Sequence, residues 1–194
     1  MSFSAEFVAR FAESLEQLDL KSVEQLVSEL CDLRERGGRL FVLGVGGSAA
    51  NASHAVNDFR KLCGIEAYAP TDNVAELTAR TNDEGWESTF AAWLKTSRLG
   101  PRDLLLVLSV GGGDRARNVS PNLVSALELA ADCAAPVVAI VGRDGGAARR
   151  SACSCVLVPN VDPNLVTPIT EAMQSVVLHL LVSHPRLSRS ATKW

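Results

Sequence analysis

No run of about 18 uninterrupted apolar residues occurs in this chain, so a membrane-spanning helix is not expected. Positive charge is not in excess: 19 Lys and Arg stand against 22 Asp and Glu, a net charge of −3. A dedicated nucleic-acid binder needs a basic face, so that class is set aside. Cysteine is sparse and odd in number. Cys31, Cys63, Cys133, Cys153 and Cys155 include no C-x-x-C pair. That is no disulfide framework, and the five read as structural thiols in a reducing compartment. The opening MSFSAEFVARFAESLEQ carries acids early and lacks the apolar core of a secretory leader. The expected location is cytoplasmic. No internal repeat or low-complexity segment is present.

What is there describes a folded domain. The chain has 194 residues, 47% hydrophobic and 21% charged. Such a length buries roughly 70% of the surface its unfolded form exposes and needs no staple. Residues 5–36 read as two helices. Phe7, Val8, Phe11, Leu15 and Leu18 recur at helical spacing, and Val23, Leu26, Val27, Leu30 and Leu33 repeat the pattern. Ser22-x-x-Gln25 reads as a capping box for the second helix, and Gly37-Gly38 ends it.

The pattern then changes. RLFVLGV (39–45), DLLLVLS (103–109), PVVAIV (136–141) and SCVLV (154–158) are short apolar runs, and 65–69 is a weaker one. Helical patterns lie between them, at about 48–62, 85–97, 120–134 and 165–183. Strands apolar on both faces and alternating with helices predict a three-layer α/β/α sandwich on five parallel strands, plus the N-terminal helices. The predicted division is a helical segment over 1–36 that packs on the domain or on a neighbouring subunit, a core domain over 37–185, and a tail over 186–194. Ligands of such sheets sit beyond the carboxyl ends of the strands.

Two glycine-rich loops fall there. Gly44-Val45-Gly46-Gly47-Ser48 opens a helix, where backbone N–H groups can face an anion. A plain tight turn is the alternative, and Gly44-x-Gly46-x-x-Ala49 with Glu66 also fits a weak dinucleotide pattern. Ser109-Val110-Gly111-Gly112-Gly113 follows the longest run, and Ser120-Pro121 then reads as a helix start. One phosphorylated ligand between the two helix starts accounts for both loops, although Ser120 could simply cap its helix. His54 and Asp58 share a helix face, as do Glu171 and His179. These four could bind a divalent metal or divide acid and base roles, or could be ordinary surface residues. Asn82 and Asp83 sit in a polar segment that reads as a turn and could reach the ligand. Trp86 and Trp93 read as core, and His184 as a solvated histidine.

Taken together, these motifs resemble the sugar-isomerase (SIS) domain family, and within it the phosphoheptose isomerases. The resemblance rests on Gly44-Val45-Gly46-Gly47-Ser48-Ala49, His54 with Asp58, Thr81-Asn82-Asp83-Glu84-Gly85-Trp86, Asn118-Val119-Ser120-Pro121-Asn122 and Asp144-Gly145-Gly146, and covers about 37–183. It implies an aldose–ketose isomerase acting through an enediol, with sedoheptulose 7-phosphate becoming D-glycero-D-manno-heptose 7-phosphate. It implies Asp58 as base and His179 as its partner. It implies zinc held by His54, Asp58, Glu171 and His179. Gly46, Gly47, Ser48, Asn82, Asp83, Ser109, Gly111, Gly112 and Ser120 are then the substrate and phosphate contacts. A homotetramer with active sites between subunits is also implied. The alternative within the family is a non-catalytic sugar-phosphate sensor or a regulatory protein-binding module.

The chain departs from the family pattern in four places. Val45 replaces Asn. Two hydroxyl residues of the phosphate loop are absent, and six extra residues, Asp114–Val119, precede Ser120. Arg115 or Arg117 of that insertion could replace the missing donors. Asp58 stands where Glu is usual, and Glu171 falls where Gln is usual, eight residues before His179, or, with a one-residue slip, at the Glu that follows that Gln.

Overall fold

The apolar runs become five strands in a computed structural model that describes residues 2–190. They are β1 (Leu40–Leu43), β2 (Ala67–Tyr68), β3 (Leu104–Ser109), β4 (Val137–Val141) and β5 (Ser154–Leu157). Every residue of β1, β3 and β4 is buried, as strands covered on both faces require. All pairings are parallel, in the order β2-β1-β3-β4-β5. The chain therefore steps outward from β1 to β2, then crosses back to β3 on the other side. That reversal opens a crevice beyond the carboxyl ends of β1 and β3.

The helices are α1 (Phe3–Glu16), α2 (Leu20–Glu35), α3 (Gly47–Cys63), α4 (Val74–Glu84), α5 (Thr89–Thr96), α6 (Pro121–Asp132), α7 (Gly146–Ser151) and α8 (Val166–Ser183). Successive strand residues point to opposite faces. Leu40, Val42, Leu104, Leu106 and Ile140 meet Leu30 of α2, Phe59 of α3 and Met173 of α8. Their neighbours Phe41, Leu43, Leu105, Val107 and Val141 meet Phe90 of α5 and Leu123 of α6. Trp93 packs edge-on against Phe41 at 5.6 Å, whereas Trp86 is 37% exposed beside Phe90.

Several local expectations shift. Asp19 caps α2, accepting from Lys21 N at 3.0 Å, while Ser22 Oγ donates back to Asp19 O. The capping box is not formed, because an acid three residues earlier takes the role. Asn82 and Asp83 lie in the last turn of α4 rather than in a loop, since Asn73 caps a helix there. His184 is half-buried, 3.5 Å from Glu24. Residues 186–190 pack on the domain: Leu187 is fully buried, and Arg34 donates to the carbonyls of Arg186 and Leu187. The remainder of the expected tail, 191–194, lies outside the described residues. α8 has the length and apolarity of a membrane span, with mean hydropathy 1.2, but half of it is buried against the domain. α1 buries little beyond Ser14, and leaves Phe3, Val8 and Leu15 exposed.

Candidate active site

The switch-point crevice holds a cavity of about 410 Å³. Val45 and Ser48 line it from the loop after β1, and Ser109, Val110 and Gly111 from the loop after β3. The insertion adds Asp114, Arg117, Val119 and Ser120, and the loop after β4 adds Arg143 and Asp144. Thr167, in the first turn of α8, closes one side.

The loop after β3 owes its glycines first to docking. Gly112 has φ +70, and a Cβ there would overlap the Gly145 carbonyl. The carbonyls of Gly112 and Gly113 accept from Ala148 and Ala147 at the start of α7, both at 2.9 Å. Gly112 N–H donates to Ser109 Oγ at 3.0 Å. Gly112 is therefore buried and committed to the protein, so the expectation that it contacts phosphate is not met. Gly111 faces the cavity instead. Ser109 keeps its hydroxyl proton free for an acceptor. Ser120 is in the left-handed region (φ 47) and makes no capping bond, which leaves its hydroxyl available as well.

The insertion folds as a tight hairpin, with Asp114 and Val119 exchanging two backbone hydrogen bonds of 2.9 Å. Arg115 turns outward to Glu87 and Glu128 and does not line the cavity. Arg117 lines it but is held by Asp114 at 2.6 Å. The Asp114 carboxyl lies below the usual carboxylate range, first because Arg117 N–H donates to it and then because of the guanidinium. Arg143, which the sequence reading did not single out, reaches the cavity with no ion pair or side-chain hydrogen bond among the described residues. It is the free cation that the insertion was expected to supply.

The loop after β1 divides in two. Gly46 and Gly47 are exposed beside the cavity without lining it. Ser48 is 1% exposed and donates to Gln174 Oε1 at 2.9 Å. Asn51 Nδ2 also donates to that oxygen at 3.2 Å and to the Glu171 carbonyl at 2.9 Å. Gln174 Nε2 reaches the Ile140 carbonyl at 3.4 Å. The structure thus turns Ser48 toward α8, where it orients the loop. Gln174, which holds that loop against α8, is a residue that sequence reasoning missed. Its signal was a buried amide interrupting the apolar stripe of α8. Asn122, behind Ser120, is likewise fully buried, and neither amide atom has a protein partner among the described residues. Asn82 and Asp83 bond to each other on the exposed surface of α4 and stay outside the cavity of this subunit.

α3 and α8 run in the same direction, so matching positions meet along their seam. His54 Nε2 lies 3.1 Å from Asp58 Oδ2 and 3.4 Å from His179 Nε2, and His179 lies 3.9 Å from Asp58. One ligand atom from each falls within 4.8 Å of the others. Two imidazoles and a carboxylate are zinc-type donors, and three of them leave a fourth position for an exogenous ligand. Glu171 is not in this set. Eight residues of helix separate it from His179, roughly 12 Å along the axis. Its carboxylate sits instead over Gly47, where a Cβ would overlap it.

Comparison with known proteins agrees with this architecture. The SIS domain family matches residues 4–142. A phosphoheptose isomerase of Helicobacter pylori is 30% identical over 184 residues, covering 91% of this chain and 86% of that one. The lincomycin biosynthesis protein LmbN of Streptomyces lincolnensis is 34% identical over 166 residues, 80% of this chain, which spans 58% of that longer protein. The structure of a phosphoheptose isomerase from Neisseria gonorrhoeae superposes with a TM-score of 0.78 at 24% identity, covering 93% of this chain and 98% of that one. The chain belongs to the SIS domain family, in its phosphoheptose isomerase branch.

Proposed function

We propose that the protein is an aldose–ketose isomerase of a phosphosugar, converting sedoheptulose 7-phosphate to D-glycero-D-manno-heptose 7-phosphate through an enediol. The observation that carries this reading is the cavity at the β1/β3 switch point, flanked by the α3/α8 seam. The phosphate binds at the cavity, through the hydroxyls of Ser109 and Ser120, the backbone beside Gly111 and the free Arg143 guanidinium. A guanidinium is a strong partner for a phosphate dianion. It compensates for the hydroxyls that the loop after β3 lacks.

Proton transfer and substrate polarisation use the seam. His54, Asp58 and His179 have the donor types and closeness to hold zinc, which when bound would polarise a sugar oxygen as a Lewis acid. The protein's own residues bind and orient the sugar and move its protons. Asp58 and His179 are the acid–base pair that the family resemblance implies. The exposed Phe3, Val8 and Leu15 of α1 suit burial in a homo-oligomer, a tetramer by that resemblance, whose subunits share active sites. The cytoplasm is the compartment in which free cysteines and a phosphorylated substrate both fit.

The test is a proton NMR time course of purified protein with sedoheptulose 7-phosphate, with and without zinc. Anomeric signals of an aldoheptose phosphate are expected. Asp58→Asn and His179→Ala should each lower turnover by at least about 10²-fold while folding is retained. Arg143→Ala should raise KM more than it lowers kcat. No turnover, together with thermal stabilisation by the same compound, would replace this reading with a sugar-phosphate sensor.

A further inference from the structure

We propose that the arginine-rich cavity at the amino ends of β1 and β3 is a second anion site, suited to a diphosphate group. It lies at the opposite end of the sheet from the catalytic cavity. Arg39 leads into β1 and Asp103 into β3, while Val45 and Ser109 stand at the far ends of those strands. The length of β3 alone separates the two cavities by roughly 20 Å. The inference does not depend on the isomerase reading.

The cavity holds about 370 Å³, within the range of small-ligand pockets. Its walls are two turns, one over residues 37–39 after α2 and one over 98–103 before β3. The turns are closely docked. A Cβ on Gly38 would overlap the Arg102 carbonyl. Arg36 Nε donates to that carbonyl at 2.8 Å, and Arg102 Nη2 donates back to the Arg36 carbonyl. Arg39 Nη2 donates to the carbonyl of Arg98 at 3.0 Å, which holds a residue whose φ is +56.

Charge is what makes this cavity unusual. Arg39, Arg98 and Arg102 line it, and Arg36 stands beside it. Asp103 is the one carboxylate in the lining among the described residues, and it is already committed. It is 5% exposed, pairs with Arg39 at 2.8 Å, and accepts from the N–H groups of Arg39 and Gly100, both at 3.0 Å. Arg36 and Arg102 donate only to carbonyls, which fix a guanidinium in place without cancelling its charge. Arg98 makes no ion pair or side-chain hydrogen bond among the described residues. Three uncompensated cations therefore share one concave site in a chain whose net charge is −3. Like charges held together repel, and an anion with several acceptor oxygens relieves that repulsion through charge-assisted hydrogen bonds. A phosphomonoester carries about two negative charges, fewer than the three free guanidiniums, and a diphosphate closes that gap. Walls made of the Gly37–Gly38 and Gly100–Pro101 backbone suit a compact group better than the extended backbone of a nucleic acid.

The experiment is isothermal titration of the full chain with pyrophosphate in an Arg143→Ala background, which removes the free cation of the catalytic cavity. One pyrophosphate per chain should bind. Adding Arg98→Gln and Arg102→Gln together should weaken that uptake at least about tenfold, with phosphosugar binding in the Arg143-containing protein unchanged by the same pair. Arg98→Gln alone removes no bond of the fold and should weaken uptake in the same direction, so the test stands even where the double variant does not fold. Zinc sequestration by pyrophosphate would persist in the arginine variants, so the difference between parent and variant reads this site. ADP carries the same group on a nucleoside. Tighter binding of ADP than of pyrophosphate would make the ligand a diphosphate ester, and weaker binding a free diphosphate. No uptake of either, or uptake in Arg98→Gln equal to that of its parent, would overturn the proposal.

Discussion

Replacing Gln174 with Leu removes the hub of the buried network that ties α3, α8 and β4 together. The side chains are close in volume, so little cavity is created. What changes is hydrogen bonding. The Ser48 hydroxyl, in a residue 1% exposed, loses its acceptor, and the Ile140 carbonyl loses a long donor at 3.4 Å. Asn51 loses one of two acceptors but keeps the Glu171 carbonyl at 2.9 Å. A buried polar group left unpaired costs about 1–3 kcal/mol. One full orphan and two partial ones give about 2–4 kcal/mol, offset in part by the gain from a buried apolar side chain. For a chain of this size that lowers Tm by about 5–12 °C. Urea unfolding at fixed protein concentration measures it, because oligomerisation makes apparent stability concentration-dependent. The double variant Ser48→Ala/Gln174→Leu should recover about 1 kcal/mol, since both partners of the strongest bond are then gone. A Gln174→Leu protein within about 0.5 kcal/mol of the parent, or a strictly additive double variant, would refute the reasoning.

Two further outcomes follow from the loops and the core. Gly112→Ala should fail to dock the loop after β3 on α7, because its Cβ would meet the Gly145 carbonyl and its φ is +70. A protein that folds but loses phosphosugar binding, or that does not accumulate in soluble form, is expected; unchanged binding in a titration would contradict it. Burial pushes the Cys63 thiol up from 9.0 to about 11. The folded state then keeps a proton that the unfolded state releases, so Cys63 supports folding below about pH 9 and loses that support as pH rises toward about 11. Cys63→Ala should flatten this alkaline decline in denaturation midpoints, and an unchanged slope would show that Cys63 is not its source.

The sheet was legible because β1, β3, β4 and β5 are short apolar runs closed within two residues by glycine or proline, and a parallel sheet covered on both sides buries β1, β3 and β4 completely, while the edge strand β5 alternates buried and half-buried residues. α4 was not, because none of its residues is buried and its only marker is the capping Asn73. Side-chain direction was the harder part of the site. Ser48 reads as a phosphate donor from its place after three glycines, yet the amide that claims it is 126 residues away in sequence. Arg117 reads as a free cation until the hairpin closes and sets Asp114 against it. Helical spacing put Glu171 and His179 on one face of α8, which is correct, but a shared face does not mean a shared ligand.

The seam shows how spacing and packing divide the work. Position along α8 is fixed by the apolar stripe of Ile169, Met173, Val177 and Leu181, all 2% exposed or less. That stripe sets the register against α3, and the register brings His179 to His54 and Glu171 to Gly47. A one-residue slip would swing each polar side chain about 100° around the helix and separate both pairs. Gln174, buried within the same face and bonded to Ser48 and Asn51, is the polar contact that penalises such a slip. The core stripe therefore supplies the stability of the helix pair, and the buried amide supplies its alignment. Weakening the amide should disturb catalysis through geometry before it unfolds the protein, so Gln174→Leu ought to lose turnover at temperatures well below its own melting transition.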